Sequence, residues 1–320
     1  MFGMIDDVSS EVPMQKACIL GCGKRSREHA RAYQFVTGGK IAAACDQDQT
    51  RLSAYCNDYG IERRYTDLNK MLEKEKPDVL HLVTPPLLRY DLMCAANDHE
   101  VPVVIVEKPI AVQGEDWRQL VGLHDRAKTR FVVNTQVHFW SKSLEFKRDV
   151  AEGRIGDILL IDISTRSTIA DQGVHVLELA HTFNGCAAPV SVFGQVSGEG
   201  YFYSNARGFL QPCPDLATAT IKFSNGVRAT FLAGASLAPA VPETDFGNIF
   251  MHKRIQVFGT RGFVHWTFGT WERFTKEAGL EKGTHIYRDE DVLGQARLTD
   301  AAFAWARTRR SSILRDLSYR

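Results

Sequence analysis

The apolar run Ala17 to Leu20 passes directly into Gly21-Cys22-Gly23-Lys24-Arg25-Ser26 and then into a helix-period segment. The next apolar run ends at Asp46, 23 residues after Gly23. Few folds accommodate that order. Paired glycines let the backbone turn tightly and approach a diphosphate, whose charge the following helix N-terminus stabilises, and an acid ending the second strand accepts hydrogen bonds from an adenosine ribose. Ser26 stands in place of a third glycine. The competing reading is a glycine turn in another doubly wound fold, but strand, turn, helix and acid together favour a dinucleotide. The Asp46 carboxylate repels a 2′-phosphate and so favours NAD, while the adjacent Lys24 and Arg25 leave NADP open.

Residues 16 to 134 alternate between strand and helix patterns, which build a parallel sheet with right-handed crossovers. The predicted strands are Ala17 to Leu20, Ile41 to Cys45, Val79 to Val83, Val103 to Val106 and Phe131 to Val133. Helical segments fall at Arg27 to Phe35, Gln49 to Tyr59, Asp67 to Lys74, Leu88 to Asn97 and Glu115 to Ala127. After Asn134 the pattern changes. Helices are expected over Lys142 to Glu152 and Gly173 to Phe183, and a strand over Ile158 to Thr165. Ala217 to Phe223 and Val227 to Leu232 flank Ser224-Asn225-Gly226, a strong hairpin signal, and a second hairpin is expected around Gly259 to Gly262. The fold class is α/β: a doubly wound parallel sheet over 1–134, then an α+β domain with a mostly antiparallel sheet over 135–320.

The 320 residues carry 39 basic and 38 acidic side chains, a formal net charge of +1. No global field gathers nucleic acid or an anionic membrane, which leaves a small molecule as the expected partner. No run approaches the roughly 18 apolar residues of a spanning helix, and the N-terminal segment lacks a signal pattern, so a cytoplasmic location is expected. Seven cysteines, mostly inside apolar runs, form neither a disulfide framework nor a zinc motif.

Thr84-Pro85 and Glu107-Lys108-Pro109 follow strands of the first sheet, at the carboxyl edge where ligands of doubly wound folds bind. The Lys108 ammonium can polarise a reacting oxygen, or it is a solvated lysine before a proline. In Asp171-Gln172-Gly173-Val174-His175, the spacing places Asp171 and His175 on one helix face, or makes Asp171 the cap with His175 one turn in. A histidine suits removal of a hydroxyl proton and a carboxylate can orient it; the plainer reading is a cap beside a core histidine. His181 lies off the face of Asp171, His175 and Glu178, and no metal site is expected.

In combination, GCGKRS with His29, Asp46, TPP at 84 to 86, EKP at 107 to 109, the Gly153 to Ile158 turn and DQGVH at 171 to 175 resemble the glucose-fructose oxidoreductase, inositol dehydrogenase and MocA (Gfo/Idh/MocA) family. The resemblance spans nearly the whole chain. It implies an N-terminal Rossmann domain, an open-faced C-terminal sheet that often mediates dimers or tetramers, and NAD or NADP at the junction. Lys108, Asp171 and His175 take the family's catalytic positions, with cofactor contacts at Gly21, Gly23, Lys24, Arg25, Asp46, Thr84, Pro85, Glu107, Lys108 and Asn134. The implied activity is hydride transfer between the nicotinamide and a secondary alcohol of a sugar, cyclitol or polyol. A glycosidase or epimerase-like enzyme that recycles its hydride, or a cofactor-binding regulator, are the alternatives. Arg89 departs from the family's frequent histidine, and the segment from Thr165 to Asp171 is short. Tyr201, Tyr203, Trp266 and Trp271 are read as sugar-stacking surfaces or as sheet packing, and the arginines at 307, 309, 310 and 315 as a solvated helix face.

Overall fold

The computed structural model describes residues 14–198, 200–204, 209–234 and 252–310. The first sheet contains β1 (Gln15–Leu20), β2 (Gly39–Cys45), β3 (Arg63–Tyr65), β4 (Val79–Leu82), β5 (Val103–Glu107) and β6 (Arg130–Asn134), in the order β3-β2-β1-β4-β5-β6 with every pair parallel. The connecting helices are α1 (Lys24–Ala32), α2 (Gln49–Tyr59), α3 (Leu68–Glu75), α4 (Arg89–Asp98) and α5 (Gly114–Arg126). Asp48 and Asp67 cap α2 and α3 through Arg51 N and Lys70 N, supplying acceptors that the free helix ends lack. The central strands are mostly apolar on both faces because helices cover both, and β1, β4 and β5 are almost wholly buried.

The second part runs α6 (Ser141–Ala151), β7 (Ile158–Thr165), α7 (Val174–Phe183), β8 (Pro189–Ser197), β9 (Gly200–Ser204), β10 (Phe209–Cys213), β11 (Leu216–Phe223), β12 (Arg228–Gly234), β13 (Lys253–Gly259), β14 (Phe263–Thr267), β15 (Thr270–Thr275), β16 (Gly279–Thr284) and α8 (Tyr287–Arg310). Eight of these strands form one sheet in the order β16-β15-β14-β13-β7-β12-β11-β8. It is antiparallel except where β7 meets β12. Both predicted hairpins form, and Gly226 takes φ +87°, the left-handed conformation an Asn-Gly turn requires. Helices α6 and α7 cover one face, with Phe146, Val176, Leu179 and Phe183 meeting Ile161, Ile163, Phe231 and Ile255.

The C-terminal helix returns to the first sheet. Leu298, Ala302, Phe303 and Ala306 pack on Ala17, Val79, Val103 and Ile105, and Asp300 accepts hydrogen bonds from Thr37 N and Gly38 N. Burying Phe303 contributes about 1.5–3 kcal/mol. We therefore propose structural units of the first sheet with α8, and the eight-stranded sheet with α6 and α7. Cys18, Cys22, Cys45 and Cys56 are buried reduced thiols, and burial pushes Cys18 and Cys45 up to about 12, leaving them inert.

Candidate active site

Gly21 leaves β1 at φ +92°, and a Cβ there would lie 2.2 Å from the Val83 carbonyl oxygen. Gly23 caps α1 without a side-chain hydrogen bond, and a Cβ there would meet nothing within 4 Å. The two glycines thus have different duties: the first lets the turn exist, and the second leaves open the space before the α1 N–H groups. No acid occupies the first turn of α1, so those N–H groups and the helix dipole favour an anion. Ser26 is buried and its hydroxyl donates to Gly23 O at 2.7 Å, which is how it replaces a glycine. The cradle fits a dinucleotide diphosphate. Gly21→Ala is expected to destabilise the protein by about 2–4 kcal/mol in urea unfolding, whereas Gly23→Ala keeps stability and weakens NAD binding. Equal unfolding midpoints for the two variants would refute this division.

Asp46, at the other end of the cradle, is buried. Its Oδ2 accepts from Cys22 N and Arg51 Nε, both at 2.8 Å, and its Oδ1 from Asp48 N at 2.9 Å and Arg51 Nη2 at 2.7 Å. Burial opposes the charged form, but Arg51 and the two backbone donors outweigh it and hold the carboxyl below its usual range. The predicted phosphate-reaching cations separate: Arg25 Nε donates to Glu107 at 2.7 Å, and Lys24 is exposed. Arg51 is the cation beside Asp46, and sequence spacing did not single it out.

Glu107 and Asn134 end β5 and β6 in a buried network. Glu107 Oε1 accepts from Arg25 Nε at 2.7 Å, His29 Nε2 at 2.9 Å and Asn134 Nδ2 at 2.6 Å; Asn134 Nδ2 also donates to Gln295 of α8 at 2.8 Å. Burial opposes the Glu107 charge, yet Arg25 and His29 hold the carboxyl well below its usual range. His29 Nδ1 lies 2.9 Å from His81 Nδ1, and Tyr33 Oη lies 2.8 Å from His81 Nε2. Burial pushes both histidines down, so both are neutral. One tautomer set satisfies these three contacts: His29 Nε2–H donates to Glu107, His81 Nδ1–H donates to His29, and Tyr33 donates to His81.

Thr84 and Pro85 lie between β4 and α4. Arg89, only 1% exposed, donates from Nη2 to Thr84 O at 3.1 Å and approaches Lys108 O at 3.5 Å. It ties together the two loops at the sheet edge, and burial lowers it to about 10.

Lys108 Nζ donates to Asp171 Oδ1 at 2.7 Å and to Asp171 O at 2.8 Å. Asp171 lies in a π-helical turn, Ile169–Gly173, which runs into α7 and whose N–H groups at 171, 172 and 173 all donate to Thr168 O at 3.2 Å. Thr168, not Asp171, caps this turn. The wider turn also breaks the four-residue spacing of an ordinary helix face. The Asp171 carboxylate accepts from Lys108, Ser167 and Gln172, and no hydrogen bond joins it to His175 among the described residues. The expectation that Asp171 orients His175 is thus corrected: Asp171 orients Lys108. Burial opposes the Asp171 charge, but Lys108 leads the groups that keep its carboxyl below the usual range.

His175 is 2% exposed, and its Nδ1 has no hydrogen-bond partner among the described residues. Burial pushes it well below 6.5, and the cations Lys108, Lys253 and Arg25 push further. The ring is neutral and able to accept a proton. Residues 15–135 match the model of an oxidoreductase family with an NAD-binding Rossmann fold, the Gfo/Idh/MocA family. The match covers the dinucleotide-binding sheet and ends just after β6, so it is this part of the chain that resembles the Gfo/Idh/MocA oxidoreductases.

The chain is 28% identical over 218 residues to D-apiose dehydrogenase of Paraburkholderia graminis, a match covering 61% of this chain and 58% of that protein. It is 23% identical to inositol 2-dehydrogenase of Rhizobium meliloti, covering 89% and 94% of the two chains. An oxidoreductase from Agrobacterium radiobacter, solved with NAD+, L-tartaric acid and magnesium, shares the fold at a TM-score of 0.71 and 22% identity, covering 93% and 96% of the two chains. Among the described residues, no helix is long and apolar enough to cross a membrane.

Two further placements bear on the candidate site. Trp266 is buried and stacked on Trp140 at 5.3 Å, so it packs the sheet, and Lys142 Nζ lies 3.9 Å over the Trp271 ring. The side chains of Tyr201, Tyr203, Arg309, Arg310 and Arg315 lie outside the described residues. Sequence reasoning missed Lys253, a 2% exposed lysine opening β13 whose Nζ donates to Gln172 Oε1 at 2.8 Å. A charged residue at the start of an otherwise ordinary sheet strand carries no local signal of that placement.

Proposed function

We propose that this protein is an NAD-dependent dehydrogenase acting on a secondary alcohol of a sugar, cyclitol or related polyol. The observation that carries the reading is the Lys108–Asp171 pair. It joins the carboxyl edge of the dinucleotide-binding sheet to the π-turn, beside a buried neutral histidine. The dehydrogenase names of the relatives support the substrate class.

NAD, when bound, supplies the hydride acceptor at its nicotinamide ring. Gly21, Gly23 and the α1 N-terminus hold the diphosphate, Asp46 holds the adenosine ribose, and Thr84 and Pro85 border the nicotinamide half. The network of Glu107, Arg25 and Asn134 fixes the sheet edge beneath it. Lys108 donates to the substrate oxygen and stabilises the negative charge that grows there as the hydroxyl proton leaves. His175 takes that proton during oxidation and returns it during reduction. Asp171 holds the Lys108 ammonium in place through its carboxylate and its backbone oxygen.

The test is NADH formation, followed by absorbance, with purified protein, NAD+ and a panel of aldoses, cyclitols and sugar acids. Substrate-dependent NADH supports the reading; no NADH with any member, from protein that binds NAD+ tightly, contradicts it. Asp46→Ser is expected to weaken NAD binding by about tenfold or more and to narrow the preference over NADP, because Arg51 is then freed to meet a 2′-phosphate. An unchanged NAD-to-NADP ratio would remove Asp46 from that role. We also propose a homo-oligomer, supported by Val190, Val192, Phe193 and Val196 lying more than half exposed along β8; sedimentation at micromolar concentration reads it.

A further inference from the structure

Lys253 opens β13 and is enclosed, with its ammonium 4.8 Å from the centre of the Phe268 ring. The hydrogen bonds around it form a continuous path. Lys253 Nζ donates to Gln172 Oε1 at 2.8 Å, and the other end of that amide, Nε2, donates to Asp171 Oδ1 at 3.1 Å. The same Asp171 oxygen accepts Lys108 Nζ at 2.7 Å. Two ammonium groups from opposite sheets therefore converge on one carboxylate, one directly and one through a buried amide. The amide can serve this purpose in only one orientation. Lys253 fixes the carbonyl end toward itself, which leaves the NH2 end for Asp171.

A buried ammonium is costly compared with an apolar side chain of similar volume. Packing alone thus gives no reason for a lysine here, whereas its link to Asp171 through Gln172 does. We propose that Lys253 is a positioning residue of the reaction centre: through Gln172 it holds the Asp171 carboxylate against Lys108. This rests on the dehydrogenase reading above. Beside burial, the charges of Lys108, Lys253 and Arg25 favour the neutral His175 ring and that of Glu107 opposes them. Those facing Lys253 are Asp291, Lys108, Asp171 and Arg25, and burial lowers its ammonium to about 8.

The experiment compares Lys253→Met with Gln172→Leu in the full-length enzyme with NAD+ and its substrate. Lys253→Met is expected to lower kcat about tenfold, leave the KM for NAD+ unchanged, and move the acid limb of the kcat profile to higher pH. Gln172→Leu cuts the path but keeps the ammonium, so kcat falls while the acid limb stays in place. Lys253→Arg keeps the charge and the position of the limb. A second readout needs no turnover: the His175 imidazole signal in an NMR titration, assigned by its loss in His175→Gln, titrates at higher pH in Lys253→Met than in the parent. That shift in a protein without dehydrogenase activity would retain the Lys253–His175 link and defeat only the functional reading. An unmoved His175 titration and an unchanged kcat in Lys253→Met overturn the proposal, as does a loss of thermal stability with neither effect. If Lys253→Met does not fold, Lys253→Gln, which keeps a donor for Gln172 without the charge, takes its place with the same expected shift.

Discussion

Replacing His175 by glutamine is expected to lower kcat by about 10²–10⁴-fold, the range contributed by a positioned acid–base group, while NAD+ still binds with near-normal affinity. His175 is a 2% exposed residue of α7, and burial with the charges of Lys108, Lys253 and Arg25 holds its ring neutral. Protonation therefore begins well below 6.5, the ordinary histidine value. The sign follows directly. Oxidation needs the neutral ring, so activity falls only as pH drops through this depressed value, and the parent enzyme shows no acid limb near pH 6.5. The variant has no such base and its residual rate loses that limb altogether. An acid limb centred near 6.5, or a variant with kcat within a few-fold of the parent, would assign the proton to another group.

Lys108→Met is expected to cost about 10²–10³-fold in kcat, as removal of a donor to a developing oxyanion does. It also leaves the Asp171 carboxylate without the cation that leads in holding it below its usual range. The carboxyl then titrates at higher pH, and Ser167 and Gln172 become its remaining partners. Lys108→Arg rescues poorly, because a planar guanidinium cannot reach both Asp171 Oδ1 and Asp171 O from the geometry of one ammonium. The check is steady-state kcat and KM for both variants together with NAD+ affinity by fluorescence. Loss of NAD+ binding in Lys108→Met, with kcat preserved at saturation, would make Lys108 a cofactor contact only.

The cofactor half of the site was legible because its chemistry is local. A strand, two glycines, a helix and an acid after the next strand lie within about thirty residues, and each leaves its own mark on the pattern. Lys108 was legible from its position after β5, but its partner was not: Asp171 lies 63 residues on, in a π-turn that no helical period describes. Arg51, Gln295 and Lys253 escaped for a related reason. Arg51 reads as an ordinary surface residue of α2, Gln295 reaches Asn134 across 161 residues, and Lys253 reaches Gln172 across 81. Such contacts are set by how the sheets meet, which local periodicity does not encode.

Element boundaries show the same contrast. Gln49–Tyr59 and Ile158–Thr165 fall where amphipathic and alternating patterns place them. The edge strand Arg63–Tyr65 is too short and polar to declare itself, and α8 buries a face built partly of alanines, whose small apolar area gives little contrast with its polar side. Arg89 shows a family departure being absorbed locally: the guanidinium bonds Thr84 O, approaches Lys108 O, and braces the loops on either side.

The most direct measurement is the fate of deuterium placed on the carbinol carbon of a substrate that the enzyme turns over. The account predicts that the label appears at the nicotinamide C4 of NADH in one-to-one yield with the ketone, with a primary isotope effect in the parent. Label found back on the product carbon, with no net NADH, would contradict net dehydrogenation and assign the site to an enzyme that borrows its hydride and returns it.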